Sequence, residues 1–328
     1  MAYDLLAIES VEDLIRAVHQ VEIEKGPELR DRRVAYWTLF RGHANMNYKI
    51  EPVLYRQYDA RPYFYELEQL LIEETIRLMP KEFTGLTDIE TLAKLQHIGT
   101  PTRLLDVTTN PLVALFFACG ESHDSNGKEV DGEVILFPRT QVWSENSYAV
   151  QLPATWAING TWGTTWRADA IVRARYVANP NDLGRFKTFV AALTRSFTAV
   201  RPSYTNPRLG AQSGAFLIAG MNLILNGSPV DLSSENAEPP KEGELFSFAP
   251  KLFDPKAADG ELVTHERRFI VPAGAKKAIL RQLDGLNVNE ATLFPEPEHQ
   301  AHYVKQGFMT GSFGETYATR LTPEADAD

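Results

Sequence analysis

One cysteine, Cys119, stands among 328 residues. No disulfide can form within the chain, and no zinc site can be built on thiolates. Histidine is scarce as well, at seven, with no spacing that suggests a metal set, so no metal is expected. Long apolar runs are missing. None approaches the ~20 residues of a membrane-spanning helix, and the opening MAYDLLAIESVEDL lacks the basic start and apolar core of a secretory leader. Basic charge is in deficit, with 33 Lys plus Arg against 43 Asp plus Glu and a net charge of −10. General nucleic-acid binding needs clustered cations against phosphates and is not expected here. These absences point to a cytoplasmic protein with no membrane partner. Four motifs are also missing: GxxxxGK[ST], HExxH, GxSxG and a GxGxxG that opens a helix. The chemistries they carry therefore have no textual support.

The composition is 44% hydrophobic, enough for a large core. SVEDLIRAVHQVEIEK (10–25) has a capping serine and an apolar stripe, which predicts a helix. RVAYWTLFRGH (33–43) is rich in aromatic and β-branched residues and predicts a strand. Helices are expected over 63–80, over 88–99 with Asp88 as cap, and from Thr109 or Asn110, with Pro111 near its first position. Strands are expected at 132–139, within 214–225 and at 266–273. A further helix is expected over 181–197, another over 275–287, and a short strand or turn at 291–295. Residues 155–167 have no clean period, 233–244 reads as an exposed loop and TPEADAD as a frayed tail. The mixture predicts an α+β fold with a mixed, largely antiparallel sheet and flanking helices. The organisation expected is a helical lead-in (1–32), one main domain (33–305) with a divergent insertion at about 140–200, and a tail (306–328).

The stretch QHIGTPTRLLDVTTNPLVALFFA (96–118) holds polar residues in unusual places. His97 sits at a helix end, where the dipole favours it or where its ring can orient another group. Arg103 and Asp106 point to opposite faces if the segment is extended. Thr108, Thr109, Asn110 and Pro111 open a helix whose amides can receive an anion or simply be capped. Upstream, Arg41 ends a strand before a glycine and can bind a phosphate or carboxylate through two bonds. His43 shares its face. Each residue also has a purely structural reading.

Phe40-Arg41-Gly42, with Tyr48, Pro52, Leu54 and Arg56, followed by the 96–118 stretch, resembles the FRG domain family. That family is named for the triplet, and its second signature is similar to QHyGxPTRLLDxTxNPxxALxFA. Ile98 replaces the usual aromatic and Val107 a frequent Trp. NPRLGAQSGAF (206–216) and 269–296 resemble the family's closing part. The order of an arginine on a first strand and a Thr-Thr pair at a strand-to-helix turn is in turn similar to the ADP-ribosyltransferase fold. That resemblance implies NAD as substrate, bound by Arg41, Tyr48, Arg103, Asp106 and Thr108. It implies Arg41, His97, Thr109 and Glu266 as catalytic residues, and an ADP-ribosyltransferase or NAD glycohydrolase activity that passes ADP-ribose to a macromolecular acceptor or to water. The transferase pattern ends in ExE, whereas THERRFIVPAG places Arg268 where the last glutamate would stand. Glu68 is another acidic candidate, on a helix whose solvated face is its simplest place, and Gln212 can line the same cleft. Alternatives are a nucleotide- or partner-binding module in phage–host conflict and, lacking clustered carboxylates, a nuclease.

Overall fold

Alternation along β1 (Ala35–His43) organises the molecule. Leu39 enters one apolar cluster and its neighbour Phe40 another, as the two-residue period of a strand requires. The computed structural model describes residues 6–24, 35–56, 67–159, 197–204, 206–225, 228–230, 246–250 and 266–310. The other strands are β2 (Leu104–Thr108), β3 (Gly132–Ser144), β4 (Phe197–Arg201), β5 (Gly214–Ala219), β6 (Met221–Leu225), β7 (Ser228–Val230), β8 (Phe246–Pro250) and β9 (Arg267–Val271). The order β1-β2-β5-β4-β3 closes on itself through a β1–β3 pairing, which makes a five-stranded barrel, and β9 extends the sheet from β3. Only β3–β4 is parallel within this sheet; the other pairs are antiparallel. β6, β7 and β8 form a separate small sheet. The α+β expectation, mixed and largely antiparallel, is met.

Three apolar clusters follow from the barrel's two surfaces. Leu39, Leu105, Val107, Ile135, Phe137, Phe197 and Leu217 fill the interior, joined by Ile50 and Leu54 from the segment after β1. Phe40, Val134, Leu136, Phe269 and Val271 face outward. They are covered by α1 (Val11–Glu24), α4 (Pro111–Ala118) and α7 (Ala273–Gly285). Leu104, Val200, Phe216 and Ile218 face outward on the other flank, under α2 (Glu68–Leu78), α3 (Asp88–His97) and α5 (Tyr148–Asn159). Short α6 (Pro207–Ala211) and α8 (Glu290–Leu293) and the longer α9 (Pro297–Thr310) complete the α-helices among the described residues.

Two glycines let a helix lie directly on the sheet. A Cβ at Gly42 would fall 1.9 Å from the Ala114 carbonyl oxygen, and one at Gly132 would fall 2.1 Å from that of Ala118. Any side chain there would push α4 off β1 and β3.

Several elements differ from expectation. β3 does not stop at Pro138-Arg139. The register steps from Trp37↔Thr140 to Leu39↔Phe137, so two residues of β3 oppose one of β1 in a bulge. Proline is tolerated there because it need not donate to the ladder. α3 is capped by Thr87, not Asp88, in a reciprocal box with Glu90. Asp88 instead accepts a bond from the Thr155 hydroxyl. The piece at 291–295, expected as strand or turn, begins in a helical turn because Asn289 and Thr292 cap each other's backbone. α2 starts at Glu68, and α5 takes up the first part of the tryptophan-rich segment. The helix expected over 181–197, except Phe197 in β4, lies outside the described residues, as do the loop at 233–244 and the TPEADAD end; the tail expected from 306 begins inside a helix that runs to Thr310. Among the described residues no helix is long and apolar enough to cross a membrane.

Candidate functional site at the barrel mouth

Leu39, Arg41 and His43 alternate along β1, so the face that fills the barrel ends in two polar side chains. His43 pairs across the ladder with Glu133, and Arg41 with Ile135, which pairs in turn with Arg268. Three strands thus bring Arg41, His43, Glu133 and Arg268 to one end of the barrel. Arg41 Nε donates to His43 Nε2 at 2.9 Å. Because that nitrogen accepts, the ring proton of neutral His43 sits on Nδ1, 2.9 Å from Glu133 Oε1. Arg268 Nη1 reaches Glu133 Oε2 at 3.3 Å, and Arg268 Nε donates to Glu266 Oε1 at 2.8 Å. The result is one chain, Arg41–His43–Glu133–Arg268–Glu266.

Burial sets the electrostatics. His43 and Glu133 are buried. Burial pulls His43 below the ordinary histidine range, with Arg41 and Arg268 acting the same way and Glu133 opposing them. Burial also brings the Arg41 guanidinium down to about 10, which leaves it a cation at neutral pH. It pushes the Glu266 carboxyl up despite Arg268. Arg268 goes the other way: burial opposes its charge, but Glu266 and Glu133 outweigh that and raise its pKa. Glu266 Oε2 is buried with no hydrogen-bond partner among the described residues. Arg41 Nη1 donates to the backbone oxygen of Asp106. Among the described residues, no carboxylate lies within ion-pair distance of Arg41.

The remaining expected residues divide among other places. Tyr48 stands at the rim, 51% exposed, its ring edge-on to His43 with centroids 6.1 Å apart. Thr108 and Thr109 lie in the wall. Their hydroxyls donate to the carbonyls of Gln212 and Ser213, and the Thr108 hydroxyl also accepts the Asn110 amide. Asn110 caps α4. His97 and Asp106 line a groove of about 480 Å³ that also involves Asn206, Arg208, Gln212 and Phe216. There, His97 takes a bond from Asn206 at 2.8 Å and contacts Glu296 at 2.7 Å. Both ring nitrogens are occupied. Burial pushes the Glu296 carboxyl up, but its own amide, His97 and Arg208 bring it below the usual range.

Arg103 is not at any opening. It is 0% exposed, ion-paired with Glu68 through both Nε and Nη2, and lies over the Trp156 ring at 5.1 Å. A ligand contact for Arg103 is replaced by a buried ion pair, because α2 turns Glu68 inward instead of onto the expected solvated face. Burial opposes the Arg103 charge, but Glu68 and Tyr55 more than restore it.

Glu133 was not singled out from the sequence. Its signal was a lone carboxylate inside the apolar run GEVILF. Lys276 was also overlooked. It is buried and donates to the carbonyls of Ala44 (2.8 Å) and Gly120 (3.0 Å), pinning the turn after β1 to the end of α4. Among the described residues no group of three or more His, Cys, Asp or Glu is placed to hold a metal ion.

Residues 37–127 match one protein family, the FRG domain. The match takes in Arg41, His43, Glu68, His97 and Arg103 and ends before Glu133, Glu266 and Arg268. No curated protein and no solved structure matches the chain.

Proposed function

We propose that this chain, which carries an FRG domain over residues 37–127, binds a nucleotide of the NAD class at the barrel mouth and cleaves its nicotinamide–ribose bond. The observation that carries this reading is Arg41. It is a half-buried cation at the mouth with no carboxylate in ion-pair reach among the described residues, and only two of its five N–H groups are engaged there. Such a group is suited to a diphosphate. Neighbouring strands are ~4.8 Å apart, so the Arg41 and Arg268 backbones lie about 10 Å apart across β3. Glu266, held by Arg268, is then within the reach of a ribose whose phosphate sits on Arg41.

In this reading the C1′–N bond breaks with its electron pair leaving on neutral nicotinamide. The oxocarbenium ion that forms at C1′ is stabilised by the Glu266 carboxylate, a contact worth most in the transition state. Water or a macromolecular acceptor then adds at C1′ and gives up its proton. Tyr48 offers an exposed ring beside the site. A second reading, nucleotide binding without chemistry, draws on the same ion pairs: Arg268 engages both Glu133 and Glu266 and partly neutralises the two carboxylates of the cluster.

Nicotinamide release, followed by chromatography, separates the readings. The expectation is release by the wild-type protein, loss of release and of ADP-ribose binding in Arg41→Ala, and a drop of about 10²-fold or more in Glu266→Gln with binding retained. ADP-ribose binding without release would leave the binding module. Neither release nor binding would overturn both.

A further inference from the structure

We propose that His43 is a positioning residue that holds Arg41 in its anion-binding orientation and does so only while its ring is neutral, so that the mouth releases anions in acid. This rests on Arg41 being the ligand-binding group. The geometry is specific. The Arg41 Nε proton is consumed by His43 Nε2 at 2.9 Å, and one Nη1 proton by the Asp106 carbonyl. What remains is the far side of the guanidinium, one N–H on Nη1 and two on Nη2. That end-on pair matches two oxygens of one phosphate or of a diphosphate.

The ring can accept from Arg41 only as the Nδ1–H tautomer, and Glu133 selects that tautomer by accepting at 2.9 Å. A proton on Nε2 would remove the acceptor and set a second cation against the guanidinium. The charged and titratable groups facing His43 are Arg41 on its own strand, Glu133 on β3, Arg268 with its partner Glu266 on β9, and Tyr48 on the following turn. Lys276 on α7 binds the carbonyl of the next residue, Ala44. Glu133 favours the imidazolium, while burial and the two arginines oppose it and prevail. The site therefore stays competent through neutrality and fails below the ordinary histidine range, ~6.5. A diphosphate diester keeps its charge across this interval, so the ligand does not contribute the change.

The test is calorimetric titration with ADP-ribose from pH 8 to pH 5, joined to ¹⁵N spectroscopy of the histidine rings. The wild-type protein is expected to bind evenly from pH 8 to about 6.5 and to weaken as pH falls below that. His43→Ala is expected to weaken binding about tenfold at every pH. His43→Gln, whose amide oxygen can accept from Arg41 while its NH₂ donates to Glu133, is expected to restore most of the affinity and to flatten the profile. The wild-type ring is expected as the Nδ1–H tautomer. An acid loss that persists in His43→Gln overturns the proposal, because another group then titrates. An Nε2–H ring overturns it whatever the ligand does. No binding of ADP-ribose at any pH, with the Nδ1–H ring observed, overturns the nucleotide reading and the acid release built on it, and supports the positioning of Arg41.

Discussion

Arg41 and Arg103 were both candidate anion contacts in the sequence, and the fold treats them in opposite ways. Arg103 lies under α2 with a carboxylate bound along one edge and a tryptophan beneath it. Arg41 lies next to last on the interior face of β1, with a neutral imidazole and a backbone carbonyl as its partners. A buried charge that finds an opposite charge is part of the framework. A half-buried charge whose hydrogen-bond acceptors are neutral, with the Asp106 charge acting on it only from beyond ion-pair distance, is open to a charged partner from outside the chain. Partner identity separates the two arginines where residue type, burial tendency and position in a motif do not.

The contrast can be broken at Arg103 with the largest effect. Glu68→Gln leaves a fully buried guanidinium without its counter-charge and is expected to cost about 3–5 kcal/mol, read from urea denaturation midpoints. The double change Glu68→Leu with Arg103→Met removes both charges. It is expected to recover most of that loss, to within about 1 kcal/mol of wild type or better; failure to recover would mean the pair supplies more than charge balance. Arg41→Ala removes two hydrogen bonds to neutral acceptors at a partly open site. It is expected to cost about 1–2 kcal/mol while abolishing ADP-ribose binding, so stability and binding part company at Arg41 and not at Arg103.

The smallest effect is a pH dependence of folding from His43. Its folded-state value is depressed, so the unfolded chain takes up the proton first as pH falls. The stability this group contributes is whole above the ordinary histidine value of ~6.5 and is lost as pH falls from there through the depressed value. Denaturation curves at pH 7.5 and 5 should differ less in His43→Gln than in wild type.

Much of the framework was legible because its signals are local. Gly99, Asn110 and Pro111 punctuate 96–118, and the structure divides that stretch into the end of α3, β2 and the whole of α4, as the residue types imply. The shared face of Arg41 and His43 followed from strand periodicity alone. What sequence reading could not supply was pairing across distance. Nothing near residue 43 indicates that its partner is Glu133, 90 positions away, or that β1 and β3 close a barrel. The same gap explains why residues expected in one site are distributed between the mouth, the groove around His97 and the buried pair at Arg103. The break at Pro138-Arg139 was misjudged because a bulge uses the residues that usually end a strand.

Gly42 and Gly132 bring main chain against main chain, and such a contact has no rotamers. Side-chain packing can drift and recover when a neighbour changes size; this joint has nothing to rearrange. The distance from Arg41 to the Ala114–Ala118 half of α4 is accordingly a property of the backbone and not of the surrounding core. If the mouth binds a nucleotide as proposed, a different ligand preference there would have to come from the side chains that rim it, Tyr48 foremost, with the strand–helix spacing left untouched.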